Sequence, residues 1–108
     1  MEPEQLLIVL CNFPHLAAAS EAATVLVTER LAACVNIING VSSVYRWEGK
    51  VEVAIEVTCL IKTTAARHPA LCARLQALHP YQVPEIVALP AAAVNDAYLS
   101  WVRAETAP

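Results

Sequence analysis

The sequence predicts a single α+β domain, with one antiparallel four-stranded sheet covered by helices. Three observations carry this reading. Stretches of strand type and helix type alternate in the order βαβ, βαβ, with one further helix at the end. The pair Glu48-Gly49 separates two long alternating runs, which marks a hairpin. The chain has 108 residues, enough for one core but not for two. Two right-handed crossovers on one antiparallel sheet give the ferredoxin-like split βαβ arrangement, a sandwich of βαββαβ order with an added C-terminal helix.

Each element has its own signal. Gln5–Asn12 is a short run rich in branched apolar residues and bounded by Pro14, so it reads as a buried strand. His15–Ala32 places Leu16, Ala19, Ala23, Leu26, Val27 and Leu31 near helical spacing, which predicts one amphipathic helix. Ala33–Trp47 is extended again. Asn39-Gly40 interrupts it, and the pattern resumes at Val41 with its phase shifted, as a β-bulge requires. Lys50–Thr63 alternates Val51, Val53, Ile55, Val57, Cys59 and Ile61 against Glu52, Glu56, Thr58 and Lys62. His68-Pro69 opens a second helix, since proline suits the first helical turn, and Leu71, Leu75 and Leu78 form its apolar stripe. The segment "HPYQVP" ends that helix. Val83–Leu89 is predicted as the fourth strand and Asn95–Glu105 as a terminal helix.

Composition narrows the function classes. Hydrophobic residues make up 57% of the chain and charged ones 16%, so the chain folds. That much apolar surface is hard to hide in so small a monomer and points to a shared interface. A formal charge of -3 gives no basic face for nucleic acid or acidic lipid. No window reaches the roughly 18 consecutive apolar residues of a membrane span. The start, "MEPEQLLIVLC", is acidic where a secretory leader would be basic, so a cytoplasmic location is expected. Cys11, Cys34, Cys59 and Cys72 lie in apolar stretches without CxxC spacing. They read as reduced core thiols rather than a structural zinc site.

The hairpin argues for an assembly. Two facing strands of about 14 residues at ~3.3 Å each reach roughly 45 Å. A domain of this size is only about 35 Å across. The ribbon should overhang its own domain, with Tyr45, Trp47, Val51 and Val53 on the overhang. Either a neighbouring subunit covers them or the two aromatics fold back on their own domain. The expectation is a closed homo-oligomer.

The segments "ERLAACVNI", "SVYRWEGKVE", "LIKTT", "HPYQVPEIVALP" and "YLSWV" resemble the CutA family, the divalent-cation tolerance proteins. The resemblance runs from about Leu6 to Val102. It implies a homotrimer in which long hairpins wrap adjacent subunits, with the neighbour covering Tyr45 and Trp47 and with Val51 and Val53 in the same intersubunit interface, a response to metal ions, and copper or another divalent metal as the bound ion. It implies no catalytic activity and no organic cofactor.

Antiparallel pairing of the first and fourth strands brings Cys11 near His79. A thiolate and an imidazole suit a soft or borderline ion. The resemblance implies a cysteine and two consecutive histidines as metal ligands; Cys11 and His79 match, while Leu78 stands at the other histidine position. Two ligands suffice for linear Cu(I) and serve a divalent ion poorly. The alternative is a packed Cys11 thiol, a Leu78 in the helix stripe, and a His79 that caps the helix end as a cation. His15 is either near this strand end or a solvated helix-start residue. Glu48, Glu52, Glu56 and Glu85 are the candidate carboxylates; those on the third strand, Glu52 and Glu56, share one face that reads as solvated, or as ion-paired with Lys50, Lys62 or Arg46. No nucleophile-base-orienter set and no glycine-rich phosphate loop is visible, so an enzyme is not expected. A second functional class is a trimer resembling the PII-type signalling proteins, binding a small effector in clefts between subunits that Lys62, Tyr81, Glu85 and Trp101 could line. A third is a non-catalytic scaffold.

Overall fold

In the computed structural model, all 108 residues are described. The elements are β1 (Leu6–Phe13), α1 (Leu16–Thr28), β2 (Cys34–Trp47), β3 (Lys50–Thr64), α2 (His68–Leu78), β4 (Val87–Pro90) and α3 (Asp96–Thr106). The sheet has the order β2-β3-β1-β4, and every neighbouring pair is antiparallel. This is the split βαβ sandwich that the sequence predicts.

The core forms where period two meets helical spacing. Val9, Cys11 and Phe13 of β1 stand opposite Ile61, Cys59 and Val57 of β3, so all six share one face. Ala19, Ala22 and Leu26 of α1 and Leu71 and Leu75 of α2 close over that face. Each large aliphatic buried there stabilises the fold by about 1.5–3 kcal/mol. On the opposite side, α3 buries Val102 against Leu6 and Ala33 in a second, smaller cluster.

Two boundaries differ from the sequence reading. The first helix stops at Thr28 instead of running to Ala32. Arg30 takes a left-handed conformation (φ 61), its N–H bonds Val27 O at 3.1 Å, and the Leu31 N–H bonds Leu26 O at 2.9 Å. That is a Schellman ending with arginine where glycine is the usual marker. The conformation is held from the C-terminal end of the chain, where the Ala104 carbonyl of α3 and the Ala107 carbonyl just beyond it accept from the Arg30 guanidinium. The fourth strand begins at Val87, not Val83. Pro84 has no N–H to donate and restrains the residue before it, so the chain crosses this stretch as a loop.

The bulge is where the phase shift places it. Ile38 pairs with Thr58 and Val41 with Glu56, so Asn39 and Gly40 together oppose Val57 alone. Gly40 has φ +73, a conformation that costs glycine little. Beyond the bulge, β2 and β3 continue as a two-stranded ribbon, and the molecule measures 44 × 26 × 22 Å.

The ribbon divides the residues expected on the overhang between two faces. Directly opposed residues share a face. Val44 opposes Val53, and Arg46 opposes Val51. Tyr45 opposes Glu52, and Trp47 opposes Lys50. Val51 and Val53 therefore lie on one side with Val44 and Ile55, and Tyr45 and Trp47 lie on the other. The four aliphatics are 63–69% exposed, while Tyr45 and Trp47 are 44% and 43% exposed.

The ribbon tip yields a stability prediction. Glu48 (φ 50) and Gly49 (φ 79) both occupy the left-handed region, as a two-residue type I′ turn demands. Glu48→Asn should stabilise by a few tenths of a kcal/mol, and Gly49→Ala should destabilise by about 1 kcal/mol. Chemical unfolding at fixed protein concentration reads both, and a neutral Gly49→Ala would refute the turn assignment.

Candidate functional site

Beside the end of β1, the segment following α2 turns back onto the sheet. His79 ends α2, its N–H bonding Leu75 O at 2.8 Å. Its side chain does not reach out as a charged cap. The imidazole stacks on Phe13 with centroids 4.4 Å apart, Nε2 lies 2.6 Å from Asn12 O, and Nδ1 accepts from the Tyr81 N–H at 3.1 Å. A carbonyl requires a donor and an N–H requires an acceptor, so the ring is the neutral Nε2–H tautomer. Burial agrees, holding the His79 pKa below its ordinary value. His15 proves to be the N-cap of α1, its Nδ1 accepting from the Ala18 N–H at 3.2 Å.

Cys11 lies one residue before the carbonyl that His79 holds, so the topology does bring the two segments together. The thiol, however, is fully buried in the helix-covered core. Burial, then the neighbouring Cys59, Glu85 and Cys72, push its pKa up to about 12. Leu78 is partly buried against the same core, as the stripe reading has it. As they stand, these residues do not fit a resident divalent ion. Both imidazole nitrogens are engaged, the thiol is protonated, and no three His, Cys, Asp or Glu side chains are grouped to hold a metal.

A different constellation lies on the sheet face turned away from α1 and α2. A recess of about 550 Å³ opens between the ribbon and the loop before β4, walled by Tyr45, Trp47 and Tyr81 with Asn12, Glu56 and Glu85. Glu56 is only 8% exposed, so the expectation of a solvated or ion-paired side chain fails there. Tyr81 donates its hydroxyl to Glu56 Oε2 at 2.6 Å, and Asn12 Nδ2 donates to Oε1 at 3.4 Å. The Thr58 hydroxyl donates to Asn12 Oδ1 at 2.7 Å, which turns the amide N–H groups toward the carboxylate. Burial and the Glu56 carboxylate together push the Tyr81 pKa well above the usual phenol range.

Of the four residues expected in a cleft, Tyr81 and Glu85 line this recess. Lys62 lies elsewhere, bonded to Asn36, and Trp101 lies on α3 with its ring 5.6 Å from Tyr98. Sequence reasoning missed Asn12 and the burial of Glu56. In the sequence Glu56 is one more polar residue in an alternating strand; the Tyr81 loop, distant along the chain, covers it.

These ionisations predict a pH profile. Cys59 is also pushed up, to about 11, from an ordinary value of 9.0. The stability gained by keeping these thiols protonated is therefore full below pH 9 and lost as pH rises toward the folded values. His79 acts at the other end: its pKa is lowered from 6.5, so its contribution is present above that pH and falls on acidification. Unfolding midpoints measured from about pH 5 to 11 should decline on both sides. His79→Gln should flatten the acid limb, and an unchanged limb would remove the neutral-imidazole assignment.

Comparison with known proteins agrees with the fold and the ordered motifs. The model of the family described as CutA1 divalent ion tolerance protein matches residues 7–105. The Divalent-cation tolerance protein CutA of Thermus thermophilus is 52% identical over 99 residues, covering 92% of this chain and 96% of that protein. A solved structure of the divalent cation tolerance protein from Thermus thermophilus superposes with a TM-score of 0.92 at 50% identity, covering 94% of this chain and 99% of that one. The crystal structure of CutA from Xylella fastidiosa gives 0.93 at 41% identity, covering 95% and 99%. With its fold and its sequence matched over nearly the whole length, the chain belongs to the CutA1 divalent ion tolerance family.

Proposed function

We propose that the chain serves divalent-cation tolerance as a non-catalytic homotrimer in the cytoplasm. The observation that supports the assembly is the apolar row Val44, Val51, Val53 and Ile55, more than 60% exposed on a ribbon with no helix over it. Sheltering each of these against a sister subunit gives about 1.5–3 kcal/mol. The free edge of β2 offers backbone groups for the same docking. The family description names tolerance and no reaction, which supports the non-catalytic reading. Four free cysteines, two of them fully buried, suit a reducing compartment.

Copper enters this proposal only through Cys11 and His79, and only as an ion satisfied by two ligands. Cu(I) meets that condition, and its binding requires the Cys11 thiol to lose its proton and His79 to give up its bond to Asn12 O or to the Tyr81 N–H. A second reading rests on the recess: a small effector held beside Tyr81 and Glu85, in the manner of a trimeric signalling protein.

Light scattering at micromolar concentration should give the mass of three chains, and Val53→Asp should lower it; a folded parent with the mass of one chain would end the trimer proposal. In a Cu(I) competition titration, Cys11→Ser combined with His79→Ala should weaken binding at least about tenfold, since loss of an outer-shell partner alone costs roughly 10–100-fold. The control is the other thiol–imidazole pair, Cys72 and His68, with Sγ 3.3 Å from Nε2. If only that pair's removal abolishes binding, the Cys11–His79 assignment is wrong.

A further inference from the structure

We infer that Cys72 and His68, one turn apart on α2, form an exchangeable site for a zinc-class divalent ion, held by one thiolate and one imidazole with its other positions open to solvent. The site is separate from the Cys11–His79 pair and takes a different ion. Residues four apart on a helix share a face, the spacing by which two histidines of one helix grip zinc in H-E-x-x-H sequences. Cys72 Sγ lies 3.3 Å from His68 Nε2 and 3.8 Å from Nδ1. Both residues are half-buried, so an ion reaches them without opening the core, whereas Cys11 and Cys59 are sealed inside it. The helix packs on the covered face of the sheet through Leu71 and Leu75. The trimer proposal assigns the ribbon and the free edge of β2 to sister subunits and uses neither Cys72 nor His68.

Geometry selects the ion. Zinc holds a thiolate at ~2.3 Å and an imidazole at ~2.0–2.1 Å, so donors 3.3 Å apart subtend about 100° at the metal, near the tetrahedral angle. A linear Cu(I) ion at similar bond lengths needs its donors more than about 4 Å apart. Magnesium and calcium take oxygen donors and find none in this pair. His68 opens α2, and a helix start disfavours a bare cation; the thiolate formed on binding supplies the compensating charge. Burial holds the Cys72 pKa above its ordinary value, so the ion displaces a proton as it binds. No third His, Cys, Asp or Glu completes the set. A closed structural zinc site has four protein ligands; this one leaves room for water or a small external ligand, and binding is accordingly weak and reversible.

The test is titration of the reduced, chelator-treated, assembled protein with Co(II), followed by displacement with Zn(II). Thiolate-bound Co(II) shows a charge-transfer absorption that oxygen and nitrogen donors do not give. The parent should show this band, and Zn(II) should remove it. Cys72→Ser should abolish the band, and His68→Gln should weaken both ions at least about tenfold, the lower end of what disturbing a metal's surroundings costs. Cys11→Ser should change neither readout, which keeps this result independent of the Cu(I) titration. Far-UV circular dichroism matching the parent checks that each variant is folded. Absence of the band from the parent overturns the inference. A band that survives in Cys72→Ser, or that disappears in Cys11→Ser, places the ion on another thiol and overturns it as well. Affinity unchanged by His68→Gln removes the imidazole from the site and overturns the pair.

Discussion

Much of this molecule follows from β3 being longer than the sheet it belongs to. Its last eight residues pair with β1 on one side, while its first seven have only β2. The alternation does not change where the support ends. Val57, Cys59 and Ile61 are buried, and Val51, Val53 and Ile55, in the same phase of the same strand, are mostly exposed. One apolar face thus continues from a covered environment into an uncovered one. A ribbon of two strands is marginal alone in water, so the strand carries the pattern of a core beyond the end of its own core.

The same overhang creates the recess. By extending past β1, the ribbon places Tyr45 and Trp47 out beyond Asn12, and the loop before β4 closes the remaining side. His79 is the joint that fixes this loop. Its ring bonds the β1 carbonyl with one nitrogen and the loop N–H with the other. With the ring against Phe13 and Tyr81, the loop is set against the sheet, and the Tyr81 hydroxyl reaches Glu56. An imidazole held in this way is a structural tie. Releasing it for another partner means breaking two hydrogen bonds and a stacking contact, so any ligand chemistry at His79 is coupled to the position of the Tyr81 loop.

Local patterns made much of the architecture legible. The hairpin turn, the bulge at Asn39-Gly40, the stripe of α2 and the order of elements each come from rules that act within a few residues. The readings that missed depended on partners far away along the chain. Arg30 ends α1 because the C-terminal end of α3 accepts its guanidinium, and nothing near Arg30 announces that contact. The start of β4 is delayed because the segment around Pro84 is used as a wall instead of a strand.

The sequence by itself determined the sheet, the crossovers and the excess length of the ribbon, because hydrophobic periodicity and turn chemistry are properties of neighbours. It also placed Cys11 and His79 on adjoining segments, since antiparallel pairing fixes which strand ends meet. Only the tertiary structure decided what those groups are chemically. A thiol is kept protonated by burial, an imidazole becomes neutral by serving one carbonyl and one N–H, and a glutamate in an alternating strand is buried when a distant tyrosine covers it. Protonation and burial are set by the sum of surroundings in space, and that sum is assembled from residues the local pattern does not connect.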